Sequence, residues 1–190
     1  AGGVERSLDL PAGAGYFALG VSPGGATLAV ARMTHHAYEL GVVDLASGRA
    51  RWLGLSPRQA IWGPSILWRS DDELLVAARP SDFPDTMIGF GFQGRERIDQ
   101  QWAATARGEL GATVIGSGRY RDLRPKPPVV GLVSVNLKTG QQKVLLKAIV
   151  RDMDLAPGGR TVAAVVEGED IQPVTDEPTN AATEPYRKSL

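Results

Sequence analysis

The sequence has no cysteine and only two histidines among its 190 residues. The first absence excludes disulfides, thiolate metal sites and a cysteine nucleophile, and it leaves the redox compartment undecided. An excess of one charge is lacking too. Twenty-one basic residues balance twenty-one acidic ones, so nothing steers the chain onto nucleic acid or an anionic membrane. No apolar run approaches the roughly 18 residues of a membrane span, and the N-terminus lacks the basic and apolar regions of a secretory signal. The expectation is a chain with no membrane span, cytosolic or already processed, whose compartment, cytoplasmic or periplasmic, stays open.

Turn formers are abundant. Twenty-three glycines and thirteen prolines fall between short β-rich runs, the composition of an all-β fold with many turns, and a 43% hydrophobic content is enough for a sizeable core. The best-formed stretch is 19–53. Ser22-Pro23-Gly24-Gly25 reads as a turn, because proline presets φ and glycine accepts the positive φ that follows. A small and β-branched run, Thr27 to Ala31, reads as one strand, and Leu40 to Leu45 as the next. Ala46-Ser47-Gly48 then turns the chain into a hairpin with Arg49 to Leu53.

The same unit recurs. Leu67 to Val76 aligns on Val21 to Val30 at an interval of 46 residues, and Gly48, Gly94 and Gly140 follow one another at that interval. Met87 to Ile98 then stands for a second hairpin, with Arg95 and Arg97 in the places of Arg49 and Arg51, and Leu132 to Leu146 for a third. Ala112 to Ile115 is the apolar run expected to begin the third copy; a competing reading makes residues 80–128 one long insertion. Ile98, Trp102 and Ala106 repeat every four residues, a brief helical pattern that could cap or connect. Asp154 to Ala164 repeats Gly20 to Val30 plainly, an acidic loop from Glu167 to Pro185 follows, and Tyr186 to Leu190 reads as the entry to a further strand.

Several strands and a hairpin in a period of 40 to 50 residues are the pattern of β-propeller blades. The expected fold is therefore an all-β partial β-propeller of about four blades, at approximately 16–62, 63–108, 109–150 and 151–190, the last incomplete. Each blade is apolar on both faces because it stacks between neighbours. Seven such units would need roughly 320 residues, so the ring is expected to be completed elsewhere.

The phrases Val21-Ser-Pro-Gly-Gly-Ala-Thr-Leu-Ala-Val, Gly41-Val-Val-Asp-Leu-Ala-Ser-Gly-Arg and Leu155-Ala-Pro-Gly-Gly-Arg-Thr-Val-Ala-Ala resemble the blade signatures of prolyl-oligopeptidase-like proteins and of TolB-type propellers. Gly24 and Gly158 stand where those turns usually carry aspartate. With Arg119 to Pro125 and Val166 to Pro173, the chain looks most like the propeller half of bacterial serine peptidases of that family, of which lasso-peptide isopeptidases are one branch. The resemblance implies a propeller that gates access of peptide substrate and docks to an α/β-hydrolase domain, with no cofactor. No Gly-x-Ser-x-Gly elbow occurs, since Ile115 and Arg119 flank Gly116-Ser117-Gly118, so no catalytic residue is assigned and the hydrolase would lie outside this chain. The alternative is a free-standing TolB-like or WD40-like interaction propeller.

Individual residues carry less. His35 and His36 are adjacent, hence on opposite faces of any strand, and read as loop rather than metal ligands. Asp71, Asp72, Asp152 and Asp154 read as turn and strand-end groups, Glu167 to Glu177 as a solvated acidic loop, and Trp52, Trp62, Trp68 and Trp102 as packing between blades. Arg119, Tyr120, Arg121 and Arg124 crowd a loop followed by Pro125, Pro127 and Pro128, and are the candidate contacts to substrate or partner, because arginine can hold a peptide carboxylate bidentately. No metal site is expected.

Overall fold

The structure is a computed structural model that describes residues 5, 7–34, 37–59, 63–79, 92–109, 129–170 and 186–189. The all-β expectation holds: the described residues form three antiparallel sheets and one helix. The first sheet is a four-stranded meander of β1 (Gly15–Val21), β2 (Thr27–Met33), β3 (Tyr38–Asp44) and β4 (Ala50–Trp52). Its first turn is the Ser-Pro-Gly-Gly one, closed by Gly25 N–H donating to Ser22 O at 2.8 Å with Gly25 at φ +75°. In its second, the Asp44 carboxylate accepts from Ser47 N–H at 2.6 Å while Gly48 takes φ +73°.

The second sheet corrects the division into four units. β6 (Ile66–Ser70), β7 (Glu73–Arg79), β8 (Gly131–Asn136) and β9 (Gln142–Leu146) form a second meander, and the short β5 (Ser56–Pro57) pairs with the end of β7 beside β6. β7 and β8 are hydrogen-bonded neighbours without a register break, from Glu73↔Asn136 to Ala78↔Gly131. The expected units at 63–108 and 109–150 thus contribute strands to one sheet, in which the neighbours β7 and β8 are separated in sequence by residues 80–130. Gly94 is not a hairpin glycine but lies in the helix α1 (Phe92–Ala106). The true equivalent of Gly48 is Gly140: Asn136 Oδ1 accepts from Thr139 N–H as Asp44 does from Ser47, and Gly140 N–H donates to Asn136 O as Gly48 N–H does to Asp44 O. The interval of 46 arises because an insertion happens to double the spacing. Ala112 to Ile115, the expected start of a third copy, lies outside the described residues.

The third sheet is β10 (Val150–Leu155), β11 (Val162–Asp170) and β12 (Tyr186–Ser189), with the Pro157-Gly158-Gly159 turn joining β10 to β11. Tyr186–Ser189, expected to enter a further strand, pairs with β11 of its own chain. Three sheets, not four, are present among the described residues, and they do not close into a ring.

The sheets stack face to face, and the middle one is buried on both sides. Leu74, Val76 and Ala78 of β7, with Val133 and Val135 of β8, pack against Ala29, Leu40 and Val42 of the first sheet. The alternate residues Leu75, Ala77 and Leu132 pack against Val150 and Met153 of the third. A strand whose neighbours in sequence face opposite cores must be apolar throughout, which is why Leu74 to Ala78 is unbroken by any polar residue. Each large side chain so buried contributes about 1.5–3 kcal/mol of transfer free energy.

Three substitutions test this architecture by urea denaturation. Leu74 has no exposed surface, so Leu74→Ala should cost about 3 kcal/mol or more. Gly131 begins β8 at φ +110°, where an added Cβ would lie 1.9 Å from the Leu146 carbonyl oxygen. Gly140 has φ +74° with open space around it. Gly140→Ala should therefore cost about 1 kcal/mol, and Gly131→Ala distinctly more.

Candidate functional site

Strand alternation gives the stack two chemically different ends. At one end lie the tight turns of all three sheets, joined across the sheet interfaces: Asp71 Oδ1 accepts from Gly24 N–H at 2.6 Å, and Arg69 Nε donates to Gly159 O at 2.7 Å. At the other end β2, β7 and β11 finish and the longer connections depart. The sequence-derived candidates Arg119, Tyr120, Arg121 and Arg124 belong to one of these connections and lie outside the described residues, as do His35, His36, Ser117 and Trp62.

Beside those strand ends runs a buried polar seam between the second and third sheets. Ser56, Arg58 and Ser65 are all buried. Arg58 N–H donates to Ala77 O at 2.9 Å, and its guanidinium reaches Val150 O. Gly63 must lack a side chain here, because a Cβ would fall 1.7 Å from Asp152 Oδ1. The seam joins the second sheet to the third.

The cleft is at the tight-turn end. Between the first and second sheets Thr27, Val42, Asp44, Arg49, Arg51, Asp71, Asp72, Leu137 and Lys138 enclose an open cleft of about 220 Å³. Arg51 pairs in register with Val42, so it shares the face turned to the second sheet, and Arg49, two residues earlier, is set on the same side. Val42 and Leu137 give the cleft an apolar floor. Most of its charges are committed: Lys138 Nζ pairs with Asp72 at 2.5 Å, Arg51 donates to Leu137 O, Asp71 receives Gly24 N–H, and Asp44 receives both the amide and the hydroxyl of Ser47. The Ser47 amide first, then its hydroxyl, hold the Asp44 carboxyl below its ordinary range. Among the described residues Arg49 has no acidic partner.

The aspartates read as turn groups behave so, with Asp152 and Asp154 each accepting from the next backbone N–H at 2.8 Å. Trp68 packs between sheets and donates to Gly20 O, as expected of it. Trp52 instead covers the outer face of the first sheet, its ring lying where a Gly41 side chain would be, and Trp102 on α1 is 74% exposed, so neither fills an interface between sheets among the described residues. The Arg49–Arg51 pair was visible in sequence as a feature of the hairpin, but nothing in sequence sets it opposite the Asp71-Asp72 and Leu137-Lys138 turns. Among the described residues no group of three or more His, Asp or Glu could hold a metal ion, and no helix is long and apolar enough to cross a membrane. Compared with known proteins, the chain matches no family model, no curated protein and no solved structure.

Asp44 makes a pH prediction. Its folded pKa is lowered, so its contribution to stability is present above the unfolded pKa and is lost as pH falls through the folded one. Ser47→Ala removes the hydroxyl donor and should move the Asp44 pKa up toward the ordinary carboxylate value, measured by carboxyl ¹³C NMR; an unmoved titration would show that the Ser47 hydroxyl has no part in it.

Proposed function

We propose that the chain is a segment of a β-propeller that serves as the substrate-gating and domain-docking part of a prolyl-oligopeptidase-like serine hydrolase. The observation that carries the propeller reading is the way the sheets repeat in space. First strands lie beside first strands: Trp68 of β6 bonds Gly20 of β1, and Arg69 of β6 bonds the turn that follows β10. Edge lies beside edge, with Gln142 of β9 donating to Leu53 O just past β4 at 2.7 Å. Stacking of each sheet on the next in the same sense is the relation expected between blades, and it supports that reading. The turn phrases Ser22 to Gly25 and Pro157 to Gly159 occupy equivalent places in two of them. The hydrolase part of the reading rests on the resemblance of these phrases to that family, and the peptide-facing role on the ends of β7 and β11, from which the long connections depart at one end of the stack.

A second reading, a free-standing interaction propeller, is favoured by one observation. Outside the middle sheet, Arg32 pairs with Glu39 at 2.5 Å and lies 4.2 Å over the Trp52 ring, and Arg151 pairs with Glu167 at 2.6 Å. Val166 packs inward, so Glu167, its neighbour, belongs to the opposite side of the third sheet. Cross-strand ion pairs there let a stack end without a further apolar sheet, as capping repeats do.

Antibodies raised against this chain, used on its source after labelling with a fluorophosphonate probe, separate the two. The hydrolase reading expects a probe-labelled polypeptide larger than the 20.2 kDa of this chain, and no peptide turnover by the chain alone. An immunoreactive polypeptide that never takes the probe overturns it in favour of the interaction module.

A further inference from the structure

We propose that the cleft between the tight turns of the first and second sheets binds a peptide carboxylate, held by Arg49 and Arg51. The cleft is at the end of the stack opposite the long connections, so this site does not depend on the hydrolase reading.

The two arginines are carried on one strand two residues apart and face the same 220 Å³ space. Arg51 is held in place by its bond to the Leu137 carbonyl oxygen, which engages one of the five N–H donors of its guanidinium. Asp44 and Asp71 accept from the Ser47 and Gly24 amides and Asp72 pairs with Lys138, so the Arg49 guanidinium is in no salt bridge among the described residues. A planar guanidinium matches a carboxylate with two parallel hydrogen bonds. Asp44, Asp71 and Asp72 balance Arg49, Arg51 and Lys138 in formal charge, so the cleft has no net positive charge to draw in a dianion, and a singly charged carboxylate matched to the guanidinium fork suits it better than a phosphate. The floor of Val42 and Leu137 would take the carbon chain behind the carboxylate, and the volume admits a single residue and not a folded partner. Either a C-terminal carboxylate or an Asp or Glu side chain supplies this chemistry.

The test is a ¹H–¹⁵N NMR titration of the 190-residue chain with N-acetyl-Ala-Ala, with its C-terminal amide, with an amidated peptide containing one glutamate, and with inorganic phosphate. Saturable shifts at Arg49, Arg51 and Leu137 with the free acid but not its amide support a C-terminal carboxylate; the same shifts with the glutamate peptide alone support a side chain. Arg49→Gln, at an exposed position whose hydrogen bonds are made by the backbone and are kept, should weaken binding about tenfold. Arg160→Gln, on the exposed turn of the third sheet, should not change it. Shifts of equal size with the amide, tighter binding of phosphate, an unchanged affinity in Arg49→Gln, or no shifts at these residues would overturn the proposal.

Discussion

The structure depends on a strand that has no outside. Leu74 to Ala78 alternates between two cores, even-numbered residues against the first sheet and odd-numbered against the third. Such a strand cannot exist at the surface of a two-layer domain, because one face would expose several large apolar side chains to water. It compels a sheet on each side, and each of those sheets then has its own outer face to satisfy. The first satisfies it locally: Gly41 makes room for the Trp52 ring, Tyr16 stacks on that ring, and Arg32 lies over it while bonding Glu39. Val43, on the same face, has no exposed surface.

Apolar contact brings the sheets together but does not set their relative slide, since a layer of valine and leucine packs nearly as well when shifted. Directional bonds between sheets do that. Trp68 to Gly20, Asp71 to Gly24, Arg51 to Leu137 and Gln142 to Leu53 pin the second sheet on the first at both its inner and outer strands. Arg69 to Gly159 and Arg58 to Val150 do the same on the third. In all six a side chain reaches a backbone group in another sheet, so the register of one sheet is fixed by the backbone of the next. The charged cleft is a by-product of this pinning: its aspartates and Lys138 are mostly engaged in bracing turns, and Arg49 is what the bracing leaves over.

Legibility in the sequence followed the range of the interactions. The Ser22 to Gly25 turn, the Ser47-Gly48 hairpin and the Pro157 to Gly159 turn were readable, because each is determined by a few adjacent residues with special φ or a short side chain. The helical spacing of Ile98, Trp102 and Ala106 was readable for the same reason, and α1 contains it. The partner of β7 was not. Six ladder pairs join Glu73–Ala78 to Gly131–Asn136 across more than fifty residues, and no local signal distinguishes the strand that continues a sheet from one that starts another. A regular interval of glycines then misled, since Gly94 has a helical environment and Gly140 a hairpin one, though the sequence shows only the same residue at both. The cleft was illegible for a related reason, because its walls come from three turns brought together only by the stack.

This difference in range also bears on where function can reside. The turns at one end are short, braced by backbone and carboxylate bonds, and tied to their neighbours across sheets, so a binding group mounted there is preorganised and gains little from moving. Arg51 illustrates it: its bond to Leu137 orients the guanidinium before any ligand arrives, which lowers the entropy cost of a second bond. The strand ends opposite carry the insertion between β7 and β8, which interrupts the sheet in sequence without disturbing a single ladder pair in space. A fold that tolerates some fifty residues between neighbouring strands keeps its stability in the stack and leaves that end free to acquire specificity. The proposed carboxylate site and the proposed docking role therefore fall at opposite ends of the same three sheets, because one end is built from bonds that cannot vary without loosening the stack and the other carries the insertion between β7 and β8.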